Sequence, residues 1–426
     1  MKSLASNIKS NLPSLLLIAI VFVVSSIFSL TIKVPISTIT KNFNYSVIII
    51  LIVMELFTNL IVETGVMQFL ATRLAVLSKG NKRLCMILFG TMMFFISAFL
   101  NNITAVMIVI PVIVVLLKAL HADSKYIYIF FAAILALSNT GGAASPIGDF
   151  PAIVIMTSGI TTFTGYLFRA FPLFLVTSVA LLACWCLFIK DKETSKSTKM
   201  LAVDLLHSQY KYLKVRYDVL IPLGVVMVCM FIAWSVVPQN LVPPEIVAVL
   251  GYCIAMIIAS VKGIQVKQTM DMKSVLTISS FLFMATVVSA SGILTILADY
   301  LQSIIPDPNM LLIVVMVITS IVAGLFSAGP AAAAMLPVIV NLCSTTLSDY
   351  SKWVAIAYAA SICAGSSLFL WSATAGFILS GKIDVSNLKY KGKKVSWGIK
   401  QYFKFGFVNY GIQMLIAIAW MCVVIK

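Results

Sequence analysis

The chain is built from apolar runs, each close to the length of a membrane-crossing helix, that recur from one end to the other. About 20 apolar residues in helical form cross the hydrocarbon core of a bilayer. The runs lie near residues 13–32, 46–66, 84–100, 103–119, 126–138, 166–189, 218–237, 242–261, 275–301, 310–326, 331–343, 352–363 and 404–425. They leave no stretch for a sizeable soluble domain, and only 10% of the residues are charged. The sequence therefore predicts an all-α polytopic membrane protein surrounded by the lipid bilayer.

The formal net charge of +16 is distributed unevenly between the loops. Most Lys and Arg residues lie in the segments 73–83, 190–216, 262–273 and 382–404. The loops 159–165, 239–245 and 302–309 contain none. Because cytoplasmic loops of membrane proteins carry the excess of basic residues, we expect a cytoplasmic N-terminus and a location in the inner (plasma) membrane. Basic residues confined to loops do not form a nucleic-acid-binding face, so nucleic acid is not expected as a partner.

Catalytic and metal-binding patterns are not found in the sequence. The eight cysteines show no C-x-x-C pairing, so neither a disulfide framework nor a zinc site is indicated. The motifs described below supply no nucleophile with its base and no carboxylate–metal cluster. We therefore expect neither an enzyme nor a cofactor, other than a coupling ion.

Three segments of the first half recur, in the same order, in the second half. The matched pairs are 62–75 with 289–301, 95–114 with 322–341, and 131–159 with 354–381. The polar stretch near the midpoint reads as a linker between them. The sequence therefore predicts a first transmembrane repeat over 1–189, a cytoplasmic linker over 190–217 and a second transmembrane repeat over 218–426.

Each repeat contains a predicted hairpin and a predicted broken helix. The length of the apolar segments favours re-entrant hairpins over 84–119 and 310–343, and the third matched pair reads as two short helices around a Gly/Ser-rich break. Five crossings separate the hairpins, so the repeats are expected to be inverted, with a binding site near the midplane. Unpaired backbone groups at that depth cost several kcal/mol each unless an ion or a substrate satisfies them. Helix N-termini favour an anion there, and freed carbonyl groups favour a cation.

Two motifs of the first repeat resemble a known family. Residues 138–149, SNTGGAASPIGD, resemble the GGAxSPIGD motif of sodium–proton antiporters and arsenite permeases, and Asn101-Asn102-Ile103-Thr104 is similar to the hairpin tip of carboxylate carriers. The chain thus resembles the ion transporter superfamily over nearly its whole length. That resemblance implies a secondary active transporter of a small ion, and because such relatives are often homodimers, it implies a homodimer.

The resemblance also implies the binding residues. A sodium site is expected at Asn101, Asn102, Ser138 and Gly142. The expected substrate- and ion-binding residues of the first repeat are Asn101, Asn102, Thr104, Ser138, Asn139, Thr140, Gly141, Gly142, Ser145 and Asp149. Those of the second repeat are Ser327, Gly329, Ser366, Ser367, Ser372 and Thr374. The second hairpin tip departs from the family pattern, since relatives often place an Asn or an Asp-Asn pair there, so a second matching sodium site is not indicated.

Three acidic residues are candidates for cation or proton binding. Asp149 is placed to cap the half-helix that starts at Pro151, which does not exclude a role in ion binding. Glu55 and Glu63 lie in one predicted span, eight residues apart and close to one helical face. Glu55 lies deeper and is the better proton-site candidate, whereas Glu63 also fits an interfacial carboxylate. Arg169, in a later span, could pair with a carboxylate or meet an anion, and extension of its side chain to the interface is the favoured role.

These observations predict a secondary transporter that moves a small anion, carboxylate or inorganic oxyanion, coupled to Na⁺ or H⁺. The alternative is Na⁺/H⁺ antiport, with Asp149, Glu55 and Glu63 as candidate binding residues. Arsenite efflux is a further alternative that is favoured by motif similarity alone. A channel fits broken helices around a midplane site less well than alternating access does.

Overall fold

The computed structural model of the protein describes residues 2–189, 214–239, 241–264, 272–386, 388–390 and 393–425. Within these residues the chain is almost entirely helical, which confirms the predicted all-α class. The helices of the first half are α1 (Lys2–Ile32), α2 (Ile36–Asn42), α3 (Tyr45–Glu63), α4 (Val66–Leu77), α5 (Lys82–Phe99), α6 (Asn102–Ala119), α7 (Ser124–Ala144), α8 (Phe150–Thr157) and α9 (Phe163–Phe188).

The second half opens with two long helices. Its elements are α10 (Tyr217–Val236), α11 (Pro244–Val261), α12 (Met272–Ala290), α13 (Ile293–Ile304), α14 (Pro308–Phe326), α15 (Ala328–Ser344), a 3₁₀ turn (Ser348–Tyr350), α16 (Ser351–Ser366), α17 (Gly376–Val385), strands β1 (Lys389–Tyr390) and β2 (Lys393–Lys394), and α18 (Ile399–Val424). From α12 onward it follows the order of long and short helices that the first half has from α3 onward. The two strands pair antiparallel. Of the predicted linker 190–217, residues 190–213 lie outside the described part of the chain.

Nine helices within the described residues are long and apolar enough to cross a membrane. The protein is therefore a multi-pass membrane protein, and the side on which its N-terminus lies stays a prediction. Helix α7 is 94% buried along its most apolar window, whereas α10, α11 and α18 are each 28% buried. A helix that is apolar all round either lies in the protein core or faces lipid. Helix α7 is thus central, and the other three helices lie at the lipid-facing periphery.

The segment-length argument does not hold for the first predicted hairpin, 84–119. Helices α5 and α6 have 18 residues each, about 27 Å at 1.5 Å per residue, which is close to the thickness of the hydrocarbon core. Nor is the helix before the first break short, because α7 has 21 residues. The apolar pattern stops at the polar residues that follow Leu137, but the helix continues through them because their side chains find partners on neighbouring helices. The re-entrant course of α5–α6 and α14–α15 stays a prediction.

Helices of the two halves exchange partners in a regular way. Helix α1 packs against α12 while α11 packs against α3, and α6 packs against α17 while α8 packs against α15. Helices α4 and α13, which the sequence comparison pairs, both follow a glycine with positive φ, Gly65 at 78° and Gly292 at 76°. Two repeats predict such an exchange of partners, and the repeats and their inverted orientation stay predictions.

A salt bridge joins the start of α5 to the start of α7. The Lys82 side chain is only 8% exposed, and its Nζ lies 2.9 Å from Asp123 Oδ1. Asp123 Oδ2 accepts a hydrogen bond from the Tyr126 N–H at 3.3 Å and so caps α7. Partial burial opposes ionisation of Asp123, but the hydrogen bond and charge of Lys82 and the Tyr126 N–H together hold the pKa of Asp123 below its ordinary value.

Replacing this carboxylate is expected to destabilise the fold. Asp123→Asn leaves the buried Lys82 ammonium without a counter-charge, so we expect a loss of about 1–2 kcal/mol at neutral pH, between the values for exposed and buried pairs. A depressed folded-state pKa stabilises the protein above the unfolded value, near 3.9, and that contribution disappears as the pH falls through the lower folded value. Thermal unfolding in detergent from pH 7 to pH 3 measures both effects. Asp218→Asn, in an exposed pair with Arg216, is the control, and equal losses in the two variants would contradict this account.

Candidate functional site

The tip of the α5–α6 pair meets the break between α7 and α8. Helix α6 begins at Asn102 and helix α8 begins at Phe150. The Asn102 Nδ2 atom donates a hydrogen bond to Asp149 Oδ2 at 3.1 Å. The contact brings together the two motifs on which the sequence prediction depends, although 47 residues separate them in the chain.

Two side chains at this junction cap the helices that start there. Asn101 Oδ1 accepts from the Ile103 N–H at 2.9 Å, and Asp149 Oδ1 accepts from the Phe150 N–H at 2.9 Å. Such caps satisfy N–H groups that have no partner inside the helix. The capping role predicted for Asp149 therefore agrees with the structure, although α8 starts one residue before Pro151. The second carboxylate oxygen of Asp149 remains directed at Asn102.

The amide oxygen of Asn102 is buried without a hydrogen-bond donor from any described residue. Asn102 is only 1% exposed, and a Cβ placed on Gly142 would lie 2.7 Å from this oxygen. Buried acceptors are almost always satisfied, because an unpaired one costs about 1–3 kcal/mol. The Asn102 oxygen thus lies against the backbone of Gly142, next to Asp149, with its lone pairs available to a cation.

Backbone carbonyl oxygens converge beside it, around Gly148. A Cβ on Gly148 would lie 2.6 Å from Gly142 O, 2.7 Å from Ser97 O and 3.0 Å from Ala98 O, so only glycine fits this position. The oxygen of Gly142 has no helical donor four residues on, because that residue is Pro146. Freed carbonyls at broken helices coordinate Na⁺ in transporters. These oxygens, with Asn102 and Asp149, form what we call the oxygen cluster.

A pocket opens beside the oxygen cluster. Its polar lining residues are Glu55, Thr58, Asn101, Asp149 and Thr374. Apolar residues of α3, α5, α6, α8 and α12 and of the first break complete it. None of the described residues that line it is Lys or Arg. Helix α3, the first-half tip and both breaks therefore contribute to one pocket that holds two carboxyl groups.

The polar residues at the end of α7 hold neighbouring helices together. Ser138 Oγ lies 3.1 Å from Ser97 Oγ, and Thr140 Oγ1 lies 2.8 Å from Ser178 Oγ. Gly141 packs against the Phe94 carbonyl, and the Ser145 hydroxyl donates to the carbonyl of Ala98. The structure thus pairs the Ser138 side chain with Ser97 and not with Asn102 or Asp149. Its assignment as a sodium ligand stays a prediction.

Asn139 links the two halves of the protein. Its Nδ2 donates to Ser367 Oγ at 3.0 Å across 228 residues of sequence. Its Oδ1 is buried without a donor from any described residue, and Asn139 is 2% exposed. Tyr402 of α18 donates to the Ser367 carbonyl at 2.6 Å. A hydrogen bond therefore joins α7 directly to the break after α16 in the core of the protein.

The other second-half residues lie around the break after α16 and at the start of α15. Ser366 donates to the Cys363 carbonyl at 2.9 Å, and Thr374 lines the pocket. Ser327, between α14 and α15, has a φ of 89° and its side chain does not cap α15. A Cβ on Gly329 would lie 3.6 Å from the ring of Phe150. The second tip thus lies near the start of α8 but offers no side-chain amide oxygen.

Three predicted residues lie away from the pocket. Glu63 is exposed at the end of α3, and Thr104 is not among the residues that line the pocket. Arg169 donates to the Gly165 carbonyl at 3.0 Å and its guanidinium carbon lies 5.4 Å from the centre of the Trp353 ring, so the structure pairs it with a carbonyl and an aromatic ring and not with a carboxylate. Within the described residues no three His, Cys, Asp or Glu side chains are grouped to hold a metal ion.

Sequence reasoning missed Thr58, Ser97 and Ala98. The Thr58 side chain donates to the Met54 carbonyl at 2.8 Å and lines the pocket one turn beyond Glu55. Ser97 and Ala98 contribute backbone oxygens, which no side-chain pattern reveals. Their place a few residues before the tip at Asn101 was the available signal, since the last carbonyls of a helix lack partners.

Apolar spans, broken helices and a buried oxygen cluster beside a pocket together define a membrane transporter. Comparison with known proteins agrees with this class. The chain belongs to the citrate transporter family, because the profile of that family matches residues 6–240 and 229–426, nearly its whole length. This finding confirms the resemblance to the ion transporter superfamily and identifies the protein as a transporter.

Two mycobacterial relatives are similar to this chain along most of its length, and a third protein is similar to about a third of it. An uncharacterized transporter of Mycobacterium tuberculosis is 24% identical over 347 residues, which cover 79% of this chain and 78% of that protein. A 46 kDa membrane protein of Mycobacterium leprae is 23% identical over 341 residues, with the same two shares. The P protein of Mus musculus is 29% identical over 148 residues, which cover 32% of this chain and 17% of that protein.

Proposed function

We propose that this protein is a secondary active transporter that carries a small carboxylate anion of the citrate class, coupled to a cation, Na⁺ foremost, bound at the oxygen cluster. The observation that carries the proposal is the buried amide oxygen of Asn102, which lacks a donor among the described residues and lies beside Asp149 and the carbonyls around Gly148. A cation is the ligand that satisfies such a set of acceptors. The family description supports citrate as the first anion to test.

The cation also explains how an anion enters this pocket. The described lining residues include Glu55 and Asp149 and no Lys or Arg, so the empty pocket disfavours an anion. A cation bound next to Asp149 offsets its charge, and the starts of α6 and α8 add their helix dipoles. The anion therefore binds well only after the cation, which is the thermodynamic condition for coupling. Inorganic oxyanions meet the same condition, and arsenite, a neutral acid at physiological pH, is disfavoured by this argument.

Uptake into proteoliposomes tests the proposal. Purified protein is reconstituted, and labelled citrate uptake is followed under an inward Na⁺ gradient, an inward proton gradient or neither, with succinate, sulfate and arsenite as competitors. The proposal expects citrate accumulation only with a cation gradient. Uptake that equilibrates without any cation dependence would contradict coupling, and competition by sulfate but not succinate would move the substrate class to inorganic oxyanions.

The two carboxyl groups of the pocket favour Na⁺/H⁺ antiport as the second candidate. Glu55 from α3 and Asp149 from the break both line the pocket, so protons and Na⁺ would compete there. Sodium-driven proton movement without any anion, lost in Asp149→Asn, would establish antiport in place of anion transport. A requirement for the anion in every cation movement would exclude it.

Glu55→Gln is expected to raise the rate of anion uptake. A negative charge on Glu55 repels a bound anion, and removing one charge in a partly hydrated pocket is worth about 1 kcal/mol, or about fivefold in uptake. Initial rates of citrate uptake at pH 8 measure the effect. Glu63→Gln, at the exposed end of the same helix, is the matched control and should keep the wild-type rate. A wild-type rate in Glu55→Gln would exclude this role for Glu55.

A further inference from the structure

The two breaks treat their freed carbonyl groups differently. In the first half, the Gly142 carbonyl is released at the break and lies against Gly148, which has no side chain to fill the space. The carbonyls of Ser97 and Ala98, at the end of α5, lie next to it, and of these the Ala98 carbonyl accepts the Ser145 hydroxyl. In the second half, the hydroxyl of Ser372 lies inside the break, 3.2 Å from Gly365 O, 3.1 Å from Ser366 O and 2.8 Å from Phe369 O.

Neighbouring backbone groups occupy both the donor and an acceptor position of the Ser372 hydroxyl. It accepts the Phe369 N–H at 3.1 Å and directs its single hydrogen at the surrounding carbonyls. Ser372 is fully buried, and the Gly365 carbonyl also accepts the Leu368 N–H at 3.0 Å. The carbonyls released at the end of α16 are therefore covered by groups of the protein itself.

Two more ligands of the oxygen cluster have no counterpart in the described second half. The first tip supplies the amide of Asn102, whereas the second tip runs through Ser327, Ala328 and Gly329, without an amide. The cap of α8 is the carboxylate of Asp149, whereas the cap position of α17 is Ala375. The second break offers hydroxyl groups and carbonyls but no carboxylate, so it lacks the charge that offsets the dehydration of a cation.

From these contrasts we infer that the protein binds one coupling cation per chain, in the first half, and that the Ser372 hydroxyl holds the second break in the shape that an ion would otherwise impose. The inference rests on the cation-coupled transport proposed above. Ser372 is then a positioning residue for Thr374, two residues further on, which lines the pocket. The anion then binds between the first break, which holds the cation, and the second break, whose shape the Ser372 hydroxyl maintains.

Direct counting of bound ions tests the inference. Saturable binding of ²²Na⁺ to the purified full-length protein in detergent is measured by scintillation proximity, with the protein concentration determined by amino-acid analysis. We expect one Na⁺ per chain with a Hill coefficient of one, and at least a tenfold weaker affinity in Asn102→Ala. Two ions per chain, one of which survives Asn102→Ala, would overturn this inference and leave the proposed function intact. Absence of saturable binding in the wild type would overturn the sodium site of the proposed function itself.

The Ser372→Ala variant separates a positioning residue from a cation ligand. It uncovers the carbonyls of the second break, so we expect the rate of citrate uptake to fall about tenfold. The number of bound Na⁺ ions stays at one, and the Na⁺ affinity stays within about threefold of wild type, which a loss of folded protein would not allow. A lost ion, or a tenfold weaker Na⁺ affinity in Ser372→Ala, would make Ser372 a ligand and overturn the inference.

Discussion

Asn102→Ala is expected to abolish cation-driven uptake of the anion at physiological Na⁺. The substitution removes the buried amide oxygen and the hydrogen bond that Nδ2 donates to Asp149. A hydrogen-bond-like contact to a charged group is worth about 1.5–3 kcal/mol, so half-saturation by Na⁺ should move upward about 10- to 150-fold. Initial rates of citrate uptake against Na⁺ concentration, in proteoliposomes matched for protein content, measure the change.

Two further variants separate the amide oxygen from the cap. Asn101→Ala removes only the side chain that accepts from the Ile103 N–H. The expected cost is that of a helix cap, about 1 kcal/mol, which corresponds to about a fivefold rise in the Na⁺ concentration for half-saturation. Asn102→Asp keeps an oxygen at the same position and adds a charge, so Na⁺ should still bind while uptake of the anion falls. Unchanged coupling in Asn102→Ala would contradict the assignment of the cation site.

Gly148→Ala adds only one methyl group, yet among these variants it is expected to cause the largest loss of transport activity. The added methyl group would lie within 3.0 Å of three backbone oxygens, those of Gly142, Ser97 and Ala98. Backbone atoms cannot rotate away as a side chain can, so the tip and the break must separate. A displacement of about 1 Å at a reacting site costs about 100-fold in rate, and we expect at least that loss in uptake.

High Na⁺ should not rescue Gly148→Ala, because the oxygen ligands themselves are displaced. Overpacking should also lower the free energy of unfolding by about 1–3 kcal/mol. Gly224→Ala in α10 is the matched control, because no atom lies within 4 Å of its added Cβ. Wild-type uptake in Gly148→Ala would show that the carbonyls around Gly148 take no part in the cycle.

The sequence could reveal the class of fold because lipid imposes length and composition on each crossing helix. It also indicated Asn102, Gly142 and Asp149, because a tip motif and a break motif stand out from apolar surroundings. The cap at Asp149 followed from its place before Pro151. These predictions depend on local patterns, which a single sequence carries.

The features that the sequence alone could not reveal depend on contacts between distant segments. The length of α7 was underestimated, since Ser138 and Thr140 remain helical with their hydroxyl groups paired with those of Ser97 and Ser178. That Glu55 lines the pocket together with Asp149 required the packing of α3 against α8. Every residue has a backbone carbonyl group, so a carbonyl oxygen that lines a site, such as that of Ser97, leaves no pattern in the sequence.

The most direct test of the cation site is a diffraction measurement on crystals in which Tl⁺, whose anomalous scattering is strong, replaces Na⁺. The account predicts an anomalous peak at coordination distance from Asn102 Oδ1 and the carbonyl of Gly142, beside Asp149, and its loss in Asn102→Ala. A peak found only elsewhere, or none at this position while the same crystals bind the anion, would contradict the account.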